Sequence, residues 1–114
     1  MHELSIAQSI VDSAREHATA QGAARVLRVG VRIGDISGVN ADALEFCFGM
    51  TVKDTQLEGA TLDVERIPVR YRCDTCAAEF PAPADFAAAC PQCAGTRARM
   101  VAGDELALSY LEVE

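Results

Sequence analysis

The stretch YRCDTCAAEFPAPADFAAACPQCAGT, residues 71–96, decides how this chain is organised. Cysteines, alanines, prolines and polar groups fill it with no sustained apolar period, so burial alone cannot hold it together. Within it, Cys73-Asp74-Thr75-Cys76 and Cys90-Pro91-Gln92-Cys93 stand thirteen residues apart. Two residues between paired cysteines let a tight turn aim both sulfurs at one ion, and two such turns complete a tetrahedral S4 shell suited to Zn²⁺. With all four positions filled by protein no place remains for water, so the zinc expected here is structural. Metal binding then supplies folding free energy, on the order of 10 kcal/mol or more in small zinc modules. Redox dithiols and an iron–sulfur cluster are the other uses of such pairs, and the doubling of the motif argues against the first.

Working outward, residues 4–18 repeat apolar side chains at helical spacing. Leu4, Ala7, Val11, Ala14 and Ala18 form one stripe, which Ile6 and Ile10 widen, and Gly22 marks the end. Residues 24–33 are β-branched and alternate from Val29 to Ile33, with Arg28 and Arg32 on the polar side, which predicts a strand buried on one face. Turn chemistry at Gly34-Asp35-Ile36-Ser37-Gly38 leads to Asn40 in an N-cap position. A second helix over about 41–53 follows, carrying Leu44, Cys47, Phe48 and Val52. Residues 60–67 read as a further strand, stopped by Pro68. Beyond the cysteines, 97–102 and 106–112 read as strands around a Gly103-Asp104 turn, the last returning to the sheet begun at residue 24.

The predicted fold is α+β: two helices packed on a small mixed or antiparallel sheet, with an inserted zinc-ribbon-like module. The expected division is residues 1–70 plus 97–114 as one domain and 71–96 as the zinc-binding module. Cys47, between Phe46 and Phe48, reads as a buried small hydrophobe. His17 has no partner at metal spacing.

At 114 residues the chain can bury one modest core. Glu3, Gln8, Asp12, Arg15 and Glu16 interrupt the first twenty residues, which are therefore expected to be neither a signal peptide nor a membrane span. A reducing, cytoplasmic setting fits, and so does the odd count of five cysteines. Ten basic residues face seventeen acidic ones for a net charge of −7. Four thiolates around one Zn²⁺ would make the protein more negative still. That balance disfavours nucleic acid, whose binding rests on Lys and Arg. Metal ions and basic protein surfaces are the expected partners.

The chain starts Met1-His2-Glu3. A bulky second residue should keep Met1 in place, leaving the α-amine beside the His2 imidazole. Amine, His2 amide and ring nitrogen, with a Glu3 oxygen, make a nitrogen-rich set suited to Ni²⁺ or Cu²⁺. Taken alone, an early His is common, and a solvated terminus with Glu3 favoured at a helix start is the preferred reading of these residues by themselves. A nucleophile–base pair and a phosphate loop are both missing from the sequence, which gives no sign of an enzyme.

Met1-His2-Glu3-Leu4-Ser5, Gly34-Asp35-Ile36-Ser37-Gly38-Val39, Phe46-Cys47-Phe48, Gly59-Ala60, the two cysteine pairs and Gly103-Asp104-Glu105-Leu106 run in one order from end to end. In these the chain resembles the HypA/HybF family of hydrogenase maturation nickel metallochaperones. The resemblance implies transferable Ni²⁺ at Met1, His2 and Glu3, and structural zinc at Cys73, Cys76, Cys90 and Cys93. It implies a maturation GTPase and a hydrogenase large-subunit precursor as partners, in some members urease as client, and a monomer or homodimer as the carrier. A zinc-ribbon interaction module without nickel transfer is the alternative that the cysteine pairs alone would allow. Its mark would be Lys and Arg around the ribbon, and none lies between Cys73 and Cys93.

Overall fold

A computed structural model describes residues 3–81 and 89–114. Helix α1, Glu3–Ala20, buries Ile6, Ala7, Ile10, Val11, Ala14 and Ala18, the stripe that its 3.6-residue period sets apart. Its end is tied by Gly22 N–H to Thr19 O and Ala23 N–H to Ala18 O, the paired bonds of a glycine-terminated helix. Strand β1, Val26–Gly34, follows, then a 3-10 turn at Asp35–Ser37 and helix α2, Ala41–Thr51. Asn40 caps α2: its side chain accepts the Ala43 amide hydrogen at 3.0 Å.

Strand β2, Thr61–Ile67, runs parallel to β1, with α2 as the crossover that a parallel pair requires. Strand β6, Leu106–Val113, pairs antiparallel on the other edge of β1, giving the order β2-β1-β6. Val26, Val29, Val31 and Ile33 turn one face of β1 toward the helices. A register irregularity at Leu27 explains why alternation starts only at Val29. The opposite face carries Arg28 to Glu112 and Arg32 to Glu65 ion pairs and the Tyr110 ring. Tyr110 crosses all three strands, donating its hydroxyl to Asp63 of β2. It does so over Gly30, where a Cβ would fall inside the ring.

The second sheet is antiparallel, in the order β4-β3-β5: β3 Arg70–Cys73, β4 Glu79–Pro81 and β5 Ala98–Ala102. The turn expected at Gly103-Asp104 does not close a hairpin, while the last strand does return to β1. Strand β5 pairs with β3, β6 pairs with β1, and residues 103–105 carry the chain from one sheet to the other. Leu108 and Leu111 pack on the large core, whereas Ala98 packs beside Tyr71 and Cys73. The apolar partners therefore sit in different clusters, and a hairpin would strand one set. The radius of gyration is 17.7 Å, against about 13 Å for a compact chain of this length. The two clusters lie along one long axis of 54 Å.

Two substitutions probe this arrangement by urea unfolding. Asn40→Ala should cost about 1 kcal/mol through the lost cap. Gly30→Ala should cost about 1–3 kcal/mol by displacing Tyr110, and that cost should shrink in a Tyr110→Ala background, because the two residues compete for one space.

Candidate metal centre

Strand β3 delivers Cys73 at its last position, and the turn toward β4 carries Cys76. The turn ahead of β5 carries Cys90 and Cys93. Both pairs fold alike. The Ala77 amide bonds Cys73 O at 3.0 Å and the Cys73 amide bonds Ala78 O at 2.9 Å; in the second turn the Ala94 amide bonds Cys90 O at 2.8 Å and the Cys90 amide bonds Gly95 O at 2.9 Å. The residue after each second cysteine is left-handed, Ala77 at φ 62° and Ala94 at φ 60°. That conformation costs an alanine about 1–2 kcal/mol.

The repeated turn brings the four sulfurs together. Cys73 Sγ lies 3.5 Å from Cys93 Sγ, and Cys76 Sγ lies 3.6 Å from Cys90 Sγ. All four fall within 4.8 Å of one another. A tetrahedron with metal–sulfur bonds of about 2.3 Å has edges of about 3.8 Å, so the donors fit a single Zn²⁺ in number, type and spacing. Cys73 and Cys90 are buried, Cys76 and Cys93 exposed.

Backbone amides aimed at the sulfurs set the electrostatics. Those of Cys76 and Thr75 pull the Cys73 thiol down to about 6. The Cys93 amide, helped by that of Gln92, lowers Cys90. At Cys76 the Ala78 amide is outweighed by burial and the Cys90 thiol, and the net shift is upward. At Cys93 the Gly95 amide is outweighed by the thiols of Cys73 and Cys76, which push it up to about 12. The backbone thus biases Cys73 and Cys90 toward the thiolate and leaves Cys76 and Cys93 biased toward the thiol, and a shared cation favours ionisation of all four.

The terminal group is less fully placed. Met1 and His2, expected to bind nickel, lie outside the described residues. Glu3 opens α1, and its carboxylate accepts the Asn40 amide hydrogen at 3.4 Å, which sets the first turn of α1 beside the start of α2. Arg66 holds the segment that leads there. It pairs with Asp35 at 3.4 Å and donates to Val39 O at 3.2 Å. Nothing in the sequence marks this clamp, because a charge among alternating strand residues does not point to a turn about thirty residues earlier. His17 is exposed, with Nδ1 2.8 Å from Ser13 O, and Cys47 is half-buried against the core.

The family model described as hydrogenase/urease nickel incorporation, metallochaperone, hypA, matches residues 1–113. The chain belongs to the HypA family. It is 48% identical to the hydrogenase maturation factor HypA of Geobacter metallireducens and 46% identical to that of Geotalea uraniireducens, in each case across 100% of both chains. The solution structure of the Ni metallochaperone HypA from Helicobacter pylori superposes with a TM-score of 0.70 at 27% identity, covering 99% of this chain and 97% of that one. A second solution structure of a HypA protein gives 0.79, also at 27% identity. As a HypA protein the chain is a nickel metallochaperone of hydrogenase and urease maturation, with a four-cysteine centre of the zinc type. No helix among the described residues is long and apolar enough to cross a membrane.

Elemental analysis of the purified protein should find about one zinc per chain. The double variant Cys73→Ser, Cys90→Ser should lose it and loosen residues 71–96 in amide exchange, while the large core keeps its protection. Acid should release the metal, because protons compete for thiolates. The stabilisation it gives is present at neutral pH and lost as pH falls, which a zinc-responsive dye would follow.

Proposed function

We propose that this HypA protein carries Ni²⁺ on Met1, His2 and Glu3 and passes it by ligand exchange to hydrogenase maturation, with zinc at Cys73, Cys76, Cys90 and Cys93 as a fixed structural ion. The end-to-end family match, which includes the Met1-His2-Glu3 start, is the observation that carries this reading. The place of Glu3 supports it: a carboxylate at the start of α1 lies beside the capped start of α2, where an oxygen donor can join nitrogens from the two residues before it. An incomplete, exposed ligand set suits a cargo ion because a recipient's ligands can enter it, whereas a closed S4 shell cannot be entered in that way. The Asn40 side chain, engaged by Ala43, serves as a cap and not as a ligand in this scheme.

A nickel-handling maturation GTPase and the hydrogenase large-subunit precursor are the proposed partners, urease is a second client, and the cytoplasm is the proposed compartment. Residues 1–70 with 97–114 act as the nickel-binding domain and 71–96 as the zinc-binding module, whose sheet takes β5, Ala98–Ala102, and the first residue of β3, Arg70, from outside those bounds.

Isothermal titration of the untagged protein tests the site. Stoichiometric Ni²⁺ binding is expected in the parent and lost in His2→Ala, with zinc content and melting temperature unchanged. Residues added ahead of Met1 should abolish it too, since an amide nitrogen has given its lone pair to resonance. Affinity should fall with pH as protons occupy the amine, ordinarily near 8, and the imidazole, near 6.5. Equal affinity in all three proteins would refute the terminal site.

A further inference from the structure

Charge is unevenly divided between the two sheets of this acidic protein. Residues 70–102 set four arginines against Asp74, Glu79 and Asp85, the last outside the described residues, while the remaining chain sets six basic residues against fourteen acidic ones. Strand alternation sorts the faces of the small sheet. Tyr71, Cys73, Phe80 and Ala98 turn inward to the cysteine cluster. Arg70 and Arg72 of β3, Glu79 of β4 and Arg99 of β5 take the other face.

Arg72 and Arg99 stand directly opposite each other across β3 and β5. Like charges so placed destabilise a sheet. Each guanidinium has one carboxylate beside it, Arg72 with Glu79 at 3.1 Å and Arg99 with Asp74 at 3.7 Å, but both pairs are open to water and contribute little to the fold. A single carboxylate engages only part of the five donors of a guanidinium, so both arginines keep donors for another molecule. Arg70 and the exposed Arg97 pair with no carboxylate among the described residues.

The spacing of the outer face defines what fits it. Arg70 and Arg72 lie two residues apart on one strand, about 6.7 Å, and Arg99 lies on the neighbouring strand, about 4.8 Å to the side. An extended peptide with acidic side chains at alternate positions repeats at the same distance of about 6.7 Å. Laid along β3, it meets Arg70 and Arg72 in register while Arg99 reaches it from the side. A phosphate chain answers the same charge, but single-stranded nucleic acid is also held by bases stacked on aromatic rings. The rings of this unit among the described residues, Tyr71 and Phe80, stack on each other at the inner face. A long polyanion would also run past these arginines onto the acidic remainder of the chain, which a short segment need not do.

We infer that the outer face of the β4-β3-β5 sheet, centred on Arg70, Arg72 and Arg99, docks a short, extended acidic segment of a partner protein. The contact uses none of the nickel ligands, so it stands or falls apart from the terminal site.

Fluorescence anisotropy tests it, with a labelled nonapeptide alternating glutamate and threonine titrated by the zinc-loaded, nickel-free protein at low salt. The parent should bind with a dissociation constant below about 1 mM, and added salt should weaken the complex. Arg70→Gln and Arg99→Gln should each weaken it about threefold and together about tenfold, with zinc content and melting temperature unchanged. The control pair Arg28→Gln and Arg32→Gln, on the first sheet, should leave it as it is. A deoxythymidine decamer should bind more weakly than the peptide. No saturable peptide binding at millimolar protein, full binding by the Arg70→Gln, Arg99→Gln double variant, an equal loss in the control pair, or tighter binding of the decamer would each overturn the proposal.

Discussion

Four sulfurs within 4.8 Å of one another are the condition on which the smaller half of this protein rests. Among the described residues its apolar cluster is slight: Tyr71 and Phe80 stack with centroids 6.0 Å apart, and Ala78 and Ala98 pack around them and the two buried cysteines. A cluster of that size cannot repay the backbone entropy of three short strands and two tight turns. The turns themselves lean the wrong way, since each places an alanine at positive φ. Only a cation that all four thiolates share turns mutual repulsion into attraction and offsets those costs. The Arg72 to Glu79 and Arg99 to Asp74 pairs on the surface of this unit, at 3.1 and 3.7 Å, add little by comparison because both are exposed.

The larger half obeys the opposite rule. Sixteen buried apolar residues, from Ile6 to Leu62, make a core that needs no ion, and the junction between the halves is consequently a matter of backbone fit. Gly34 ends β1 where the Gly103 carbonyl approaches so closely that a Cβ would collide with it, and Gly103 in turn lies against Val69. The Ile36 amide bonds Gly103 O at 2.9 Å and the Gly34 amide bonds Glu105 O at 2.7 Å. Both strands that lead to the cysteine unit, through Val69 and through Gly103, therefore bear on the 34–39 turn. That turn continues into Asn40 and its contact with Glu3. Unbroken contact of this kind is a physical route between the cysteine centre and the proposed nickel site, though contiguity does not measure a coupling energy.

How much of this could be read from residues alone follows from the range of each interaction. Both helices were legible because a 3.6-residue stripe and a cap such as Asn40 are local in sequence, and β1 because Val29 to Ile33 alternate. The cysteine centre was legible because ligand spacing within each turn is local too, and one ion links the turns whatever the path between them. The β5–β3 pairing was not, since Ala98 to Ala102 carry no pattern that says which of two apolar clusters they join. Nor was the Arg66 clamp on Asp35 and Val39, or Tyr110 lying over Gly30 to reach Asp63. Each joins residues from strands whose neighbours are decided only after the sheet has formed. Met1 and His2 rested on the family likeness, because an early histidine alone does not separate a ligand from a solvated terminus.

The two metal environments divide thermodynamic from kinetic demands. A fixed ion should sit where every ligand is supplied by protein and two are buried, so that losing it means unfolding the unit that holds it. A cargo ion needs the reverse: ligands whose departure unfolds nothing, and open positions through which a recipient can attack. As a ligand of the proposed nickel site Glu3 would meet the first requirement, since it stands at the very start of α1 and the helix buries its apolar stripe only from Ile6 onward. In the proposed nickel site, ligands at that point would exchange without disturbing the core, so release would not require the fold to open. What the cysteine unit would bear on in that proposal is the 34–39 turn, and through it the surface beside Glu3, and not the cargo itself.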